Sequence, residues 1–126
     1  MKTVKQLKAA SIATITLGII HVIATPIVIT QLKMLNTTTL LCIAYMFVAT
    51  GIGVTAIGWL QYFTLQRIDK HASFITMLKG SVLLMSIFGI GAVATMWDNP
   101  FAYITLLIAL YELYLLKFLQ VPTEVY

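Results

Sequence analysis

Charge is what this 126-residue chain has least of, at 10% of residues with four acidic side chains in all. Soluble domains average about 25% charged residues, so a monomeric globule dissolved in water is excluded. A single cysteine, Cys42, rules out an internal disulfide and paired-thiol redox chemistry, and reads as a small packing residue. Of the two histidines only His21 falls inside an apolar run, which leaves haem without a second axial imidazole. The methionines at 34, 46, 77, 85 and 96 are dispersed, against a clustered copper site. Gly51-Ile52-Gly53 and Gly89-Ile90-Gly91 lie within apolar runs and lack the helix start of a phosphate-binding loop. No Ser–His–Asp or Cys–His nucleophile pattern is present. The reading leans away from an enzyme, with no metal and no cofactor expected.

What the chain has is apolar length. Hydrophobic residues make up 60% of it and the mean hydropathy is +0.98. Four long segments, near 10–32, 38–62, 78–97 and 100–118, carry nearly all of this. A helix crossing about 30 Å of hydrocarbon needs roughly 20 apolar residues. The spacing therefore predicts an all-α integral membrane four-helix bundle, forming a single domain of two antiparallel transmembrane hairpins. The opening MKTVKQLK matches the start of a signal peptide. The apolar run that follows outlasts the usual ~7–15 residues, contains His21 and Pro26, and has no A-x-A-like site, so it is read as an uncleaved span.

The distribution of the +4 net charge sets orientation rather than nucleic-acid binding. Lys2, Lys5, Lys8, Arg67, Lys70, Lys79 and Lys117 all fall on one side of the expected spans, and Lys33 alone on the other. By the positive-inside rule both termini and the 64–76 loop are cytoplasmic, and the 33–37 and 97–100 turns are outside. A multi-pass protein of the plasma (inner) membrane is expected, with the lipid bilayer as its first partner. Asn36 or Thr37 is placed to cap the second helix, and Asp98 or Asn99 the fourth, with Pro100 in its first turn. The 64–76 loop, with Arg67, Asp69, Lys70 and His71, reads as a solvated link.

Helix periodicity then assigns faces. On the first helix Ser11, Thr14, Gly18, His21 and Thr25 form a small, polar stripe expected to face inward, with Ile12, Ile19 and Ile23 toward lipid. Pro26, one turn beyond His21, is placed to kink the helix. The second helix is small on two faces: Cys42, Ala49, Gly53 and Ala56, and Ala44, Gly51, Thr55 and Gly58. Small residues let backbones approach closely in lipid, which makes this the expected central helix. On the fourth, Ala102, Thr105, Ala109, Glu112 and Leu116 oppose Tyr103, Leu107, Tyr111 and Tyr114. Two such faces suit a homodimer or a membrane-protein partner.

The expected site is a midplane polar layer of His21, Thr50, Ser86 and Glu112, one residue from each helix. Thr25 and Tyr111 complete the candidate substrate-binding set. Ionisable groups at membrane depth are costly and so mark function by default. Glu112 alone would be neutral there, and beside His21 the two could share a proton, as a proton-coupled carrier requires. The rival reading is glue: Glu112 bonded to a carbonyl and His21 to a threonine, each bond worth about 1 kcal/mol or less.

In length and span number the chain resembles families of very small inner-membrane proteins, among them small multidrug transporters and fluoride channels. The resemblance is architectural. Small multidrug transporters carry their essential carboxylate in the first helix, where this chain has His21, and fluoride channels need a polar helix break absent here. Three functions follow as expectations: a transporter or binder of a small lipophilic or cationic solute around His21 and Glu112, a non-catalytic accessory, docking or immunity-type protein, and a lipid- or quinone-modifying enzyme.

Overall fold

The computed structural model describes residues 2–32, 34–71 and 73–119; Lys33, on which part of the orientation argument rests, lies outside them. The four apolar runs form four helices: α1 (Lys2–Gln31), α2 (Thr37–Gln66), α3 (Ser73–Thr95) and α4 (Pro100–Leu116). Asn36 caps α2, its side chain accepting from the Thr39 amide at 2.8 Å. Asn99 caps α4 by accepting from the Phe101 amide at 3.0 Å, and Pro100 follows where no amide donor is needed.

Leu7, Leu65, Leu78 and Leu115 share one cluster. The starts of α1 and α3 and the ends of α2 and α4 therefore meet at one end, the terminus-bearing end, and the helices run up-down-up-down. Around the ring α1 packs on α2, α2 on α3, α3 on α4 and α4 on α1, most closely within the two hairpins. α2 and α4 stand diagonally across the axis.

α2 and α3 reach further than the expected spans. Thr64 and Leu65 belong to α2 and Ser73–Thr76 to α3, and Ile68 in the turn between is buried. The supposed solvated link is thus a short connection whose apolar side chains close the bundle: Leu65 and Ile68, three residues apart, pack on Leu7 and Leu78. α1 runs unbroken through Pro26, which is exposed.

Three helices are long and apolar enough to cross a membrane, while α4 has 17 residues. It rises about 25 Å, at the lower edge of what a span requires. The exterior is apolar, with Ile23, Ile27, Leu41, Ile90 and Leu107 among the side chains more than 60% exposed.

The α1–α2 seam is made by glycine. A Cβ on Gly18 would lie 2.6 Å from the Gly51 carbonyl oxygen, one on Gly51 would lie 2.8 Å from that of Gly18, and one on Gly58 2.9 Å from that of Ser11. Each helix thus presses its bare backbone into the other, the close approach that drives association where lipid supplies no hydrophobic force. Of the two small faces of α2, the one holding Gly51, Thr55 and Gly58 makes this seam. Cys42, Ala49 and Ala56 on the other are exposed, and Gly53 meets Phe88 of α3.

Candidate functional site

Two regions hold the polar chemistry, and they lie at different heights. In the antiparallel register set by Leu7 beside Leu115, Glu112 is level with the start of α1 near Ala10. His21 stands eleven residues beyond that, about 16 Å along the axis. The expected single layer of His21, Thr50, Ser86 and Glu112 therefore divides. The expected span ends place α1 and α4 about two turns out of register, because α1 begins at Lys2 rather than near residue 10 while α4 ends at Leu116.

His21 and Thr50 do come together. They border a groove of about 520 Å³ between α2 and α3, lined also by Met46, Phe47, Ile87, Phe88, Gly91, Ala92, Thr95 and Met96. His21 is half-buried and stacks on Phe47, ring centroids 4.8 Å apart and planes within 5°. Inward, the groove's floor of His21, Thr50, Phe88, Ala92 and Met96 also borders a void of about 30 Å³ reaching Phe101, Ala102 and Thr105 of α4. The groove's 520 Å³ falls in the roughly 300–1,000 Å³ range of small-molecule sites. The lining is apolar except for His21, Thr50 and Thr95, and Thr95 donates to the Gly91 carbonyl at 2.8 Å.

Glu112 belongs to the second region. It is 1% exposed, and its Oε2 accepts from Gln61 Nε2 at 2.8 Å; Gln61 is 0% exposed. The two side chains bridge the diagonal between α2 and α4 through the bundle axis. Ser11 of α1 and Ser81 of α3 stand at the same height, and both are buried. Four helices thus contribute one polar layer after all, made of Ser11, Gln61, Ser81 and Glu112, with Leu7, Leu65, Val82 and Leu115 packed on one side and Val54, Ile57, Met85 and Ala109 on the other. The serine hydroxyls donate within their own helices, Ser11 to the Leu7 carbonyl at 2.9 Å and Ser81 to that of Leu78 at 2.8 Å. Glu112 Oε1 and Gln61 Oε1 are buried without a hydrogen-bond partner among the described residues. Each such orphan costs about 1–3 kcal/mol.

The remaining candidates fall outside both regions. Ser86 is buried and donates to the Val82 carbonyl at 2.8 Å. Thr25 is buried and donates to the His21 carbonyl at 3.2 Å, so its hydroxyl is engaged within α1. Tyr111 is exposed on the outer face of α4 with Tyr103, Leu107 and Tyr114. The Glu112 face of α4 meets the chain's own helices, and the tyrosine face is left outside.

Gln61 is the residue that sequence reasoning missed. It lies beside Trp59, Tyr62 and Phe63, residues of the kind that favour a membrane interface, which draws attention away from it. Its signal was nonetheless present: Gly51, Val54, Gly58, Gln61 and Leu65 follow one another at three- and four-residue steps, so the inward stripe of α2 runs directly through it.

An all-helical bundle with three helices of membrane-crossing length and an apolar exterior fits a membrane protein. Compared with protein-family models, curated proteins and solved structures, the chain matches none.

Proposed function

We propose that this is a small multi-pass membrane protein that binds, and carries, a lipophilic solute bearing one cationic or hydrogen-bonding group, through the groove between α2 and α3. The observation that carries the reading is the groove itself, about 520 Å³ in volume and apolar apart from His21, Thr50 and Thr95. Phe47 and Phe88 offer ring faces to a cation or a planar ring, and His21 and Thr50 offer the few polar contacts that orient a ligand. Entry is sideways, from the lipid, which suits a solute already dissolved there. Both termini on the cytoplasmic side remain the orientation that the basic residues favour.

The test is binding of two probes to the purified protein in lipid nanodiscs: tetraphenylphosphonium, a lipophilic cation, and a short-tailed ubiquinone analogue, a neutral ring with acceptors. Saturable binding of either is expected, weakened tenfold or more by Ala92→Phe, which fills the groove. Binding no greater than that of empty nanodiscs, or equal binding by the filled variant, removes the proposal. Uptake into proteoliposomes then separates carriage from binding, and uptake unchanged in Glu112→Gln removes Glu112 from the transport step.

A second reading rests on the exposed tyrosines of α4. Tyr103, Tyr111 and Tyr114 are 43–56% exposed along one face, and ring-bearing faces of this kind serve as contact surfaces between membrane helices. In that case the protein is an accessory subunit or a homodimer joined along α4. Crosslinking of Leu107→Cys in a Cys42→Ala background distinguishes the two: a disulfide-linked pair of copies supports the homodimer.

A further inference from the structure

We propose that Gln61 and Glu112 form a proton-binding site, in which one proton on Glu112 Oε1, shared with Gln61 Oε1, closes a neutral acid–amide ring between α2 and α4. This goes beyond the groove and does not rest on it: the two sites share no residue, and either stands if the other fails.

The inference follows from counting donors and acceptors. A carboxylate has only acceptors, whereas an amide has one oxygen acceptor and two N–H donors. Gln61 Nε2 donates to Glu112 Oε2 at 2.8 Å, leaving two oxygens, one on each residue, buried and unmatched. Both belong to side chains at most 1% exposed. A proton on Glu112 Oε1 turns one acceptor into a donor and satisfies both oxygens with a single bond, O–H to Gln61 Oε1. A metal ion would need several more oxygen ligands, and the hydroxyls of Ser11, Thr64 and Ser81 are turned to carbonyls of their own helices.

Among the described residues the one hydrogen-bond partner of the Glu112 carboxyl is the neutral Gln61 amide. On α1, Lys8 is partly buried at the terminus-bearing end, and His21 is about 16 Å away by helix rise. Just past α2 the guanidinium of Arg67 lies 3.9 Å over the Phe63 ring, and Lys79 of α3, Tyr111 of α4 and Lys117 just past α4 are exposed. When the proton leaves to water, Glu112 becomes an anion facing the Gln61 oxygen. The only side-chain hydrogen bond joining α2 to α4 among the described residues then has a repulsive partner beside it. The site is therefore a latch between the hairpins, closed when protonated.

Infrared spectroscopy of the protein in lipid vesicles tests this without relying on a disruptive variant. The chain has two glutamates, Glu112 and Glu124, so in Glu124→Gln protein labelled with carbon-13 glutamate every labelled carboxyl signal belongs to Glu112. The expected result at neutral pH is a protonated-acid carbonyl band that moves on labelling and shifts to higher frequency in Gln61→Leu, where its hydrogen-bond partner is gone. A labelled signal that is carboxylate alone at neutral pH overturns the proposal, as does an acid band that Gln61→Leu leaves unmoved. Glu112→Gln supplies an N–H where the proton sat and keeps the ring. Its unfolding midpoint should fall less as pH rises than that of the unaltered protein does. Equal pH dependence in both also overturns it.

Discussion

At the terminus-bearing end, Leu7, Leu65, Leu78, Val82 and Leu115 are at most 4% exposed and close around a hydrogen-bonded pair on the axis. Toward the other end α1 and α2 stay close-packed at Gly18 and Gly51, but His21, Phe47 and Thr50 border an open groove. Polar residues occur at both levels, but their surroundings differ. Where leucine and valine fill the space, Glu112 is hydrogen-bonded to Gln61. Where Ala92, Gly91 and Thr50 leave volume, half-buried His21 borders the groove and stacks on Phe47. Burial of a costly group and availability of a reactive one are separate properties, and this bundle places them about 16 Å apart.

The largest effect should come from the seam that holds the α1–α2 hairpin at both levels. Gly51→Leu puts a side chain where the Gly18 carbonyl already lies 2.8 Å from a bare Cβ, so the backbones must separate. A loss of about 3 kcal/mol is expected, read as a fall in the unfolding midpoint in detergent; a variant as stable as the parent would show that the seam is not close-packed. Next, Gln61→Leu should cost about 2 kcal/mol, because Glu112 is left buried with no donor. The same unfolding measurement checks it, and a neutral or stabilising result would mean that Glu112 reaches water.

The groove end should behave in the opposite sense. Phe47→Ala is expected to change ligand affinity about tenfold, roughly 1.4 kcal/mol, while shifting stability less than Gln61→Leu does. Equilibrium binding of the two probes set beside thermal unfolding decides this, and a reversed order would erase the distinction between the two ends. The smallest effect is Gly80→Ala. A Cβ there has nothing within 4 Å, so removing a helix glycine should raise stability by about 0.5–1 kcal/mol.

Much of this molecule is legible along the chain because helix periodicity is a local property. The inward stripe of α1 was visible in Ser11, Thr14, Gly18 and Thr25, all buried, and the two faces of α4 separated as their spacing implied. Cap residues Asn36 and Asn99 were among the candidates because their side chains act within three residues. What was not legible was height. The layer opposite Glu112 depends on how far α2 continues past Tyr62, and that is decided by Leu65 and Ile68 packing on Leu7 and Leu78. No local pattern measures such an offset.

By itself the sequence determined the solvent-like exterior, the number of helices and the side of each helix that turns inward, since apolar runs and 3.6-residue periodicity follow from neighbouring residues alone. Only the tertiary structure decided that Glu112 answers Gln61 rather than His21. Partner choice between diagonal helices depends on axial register, and register is set by leucines far apart in the chain meeting at one end of the bundle.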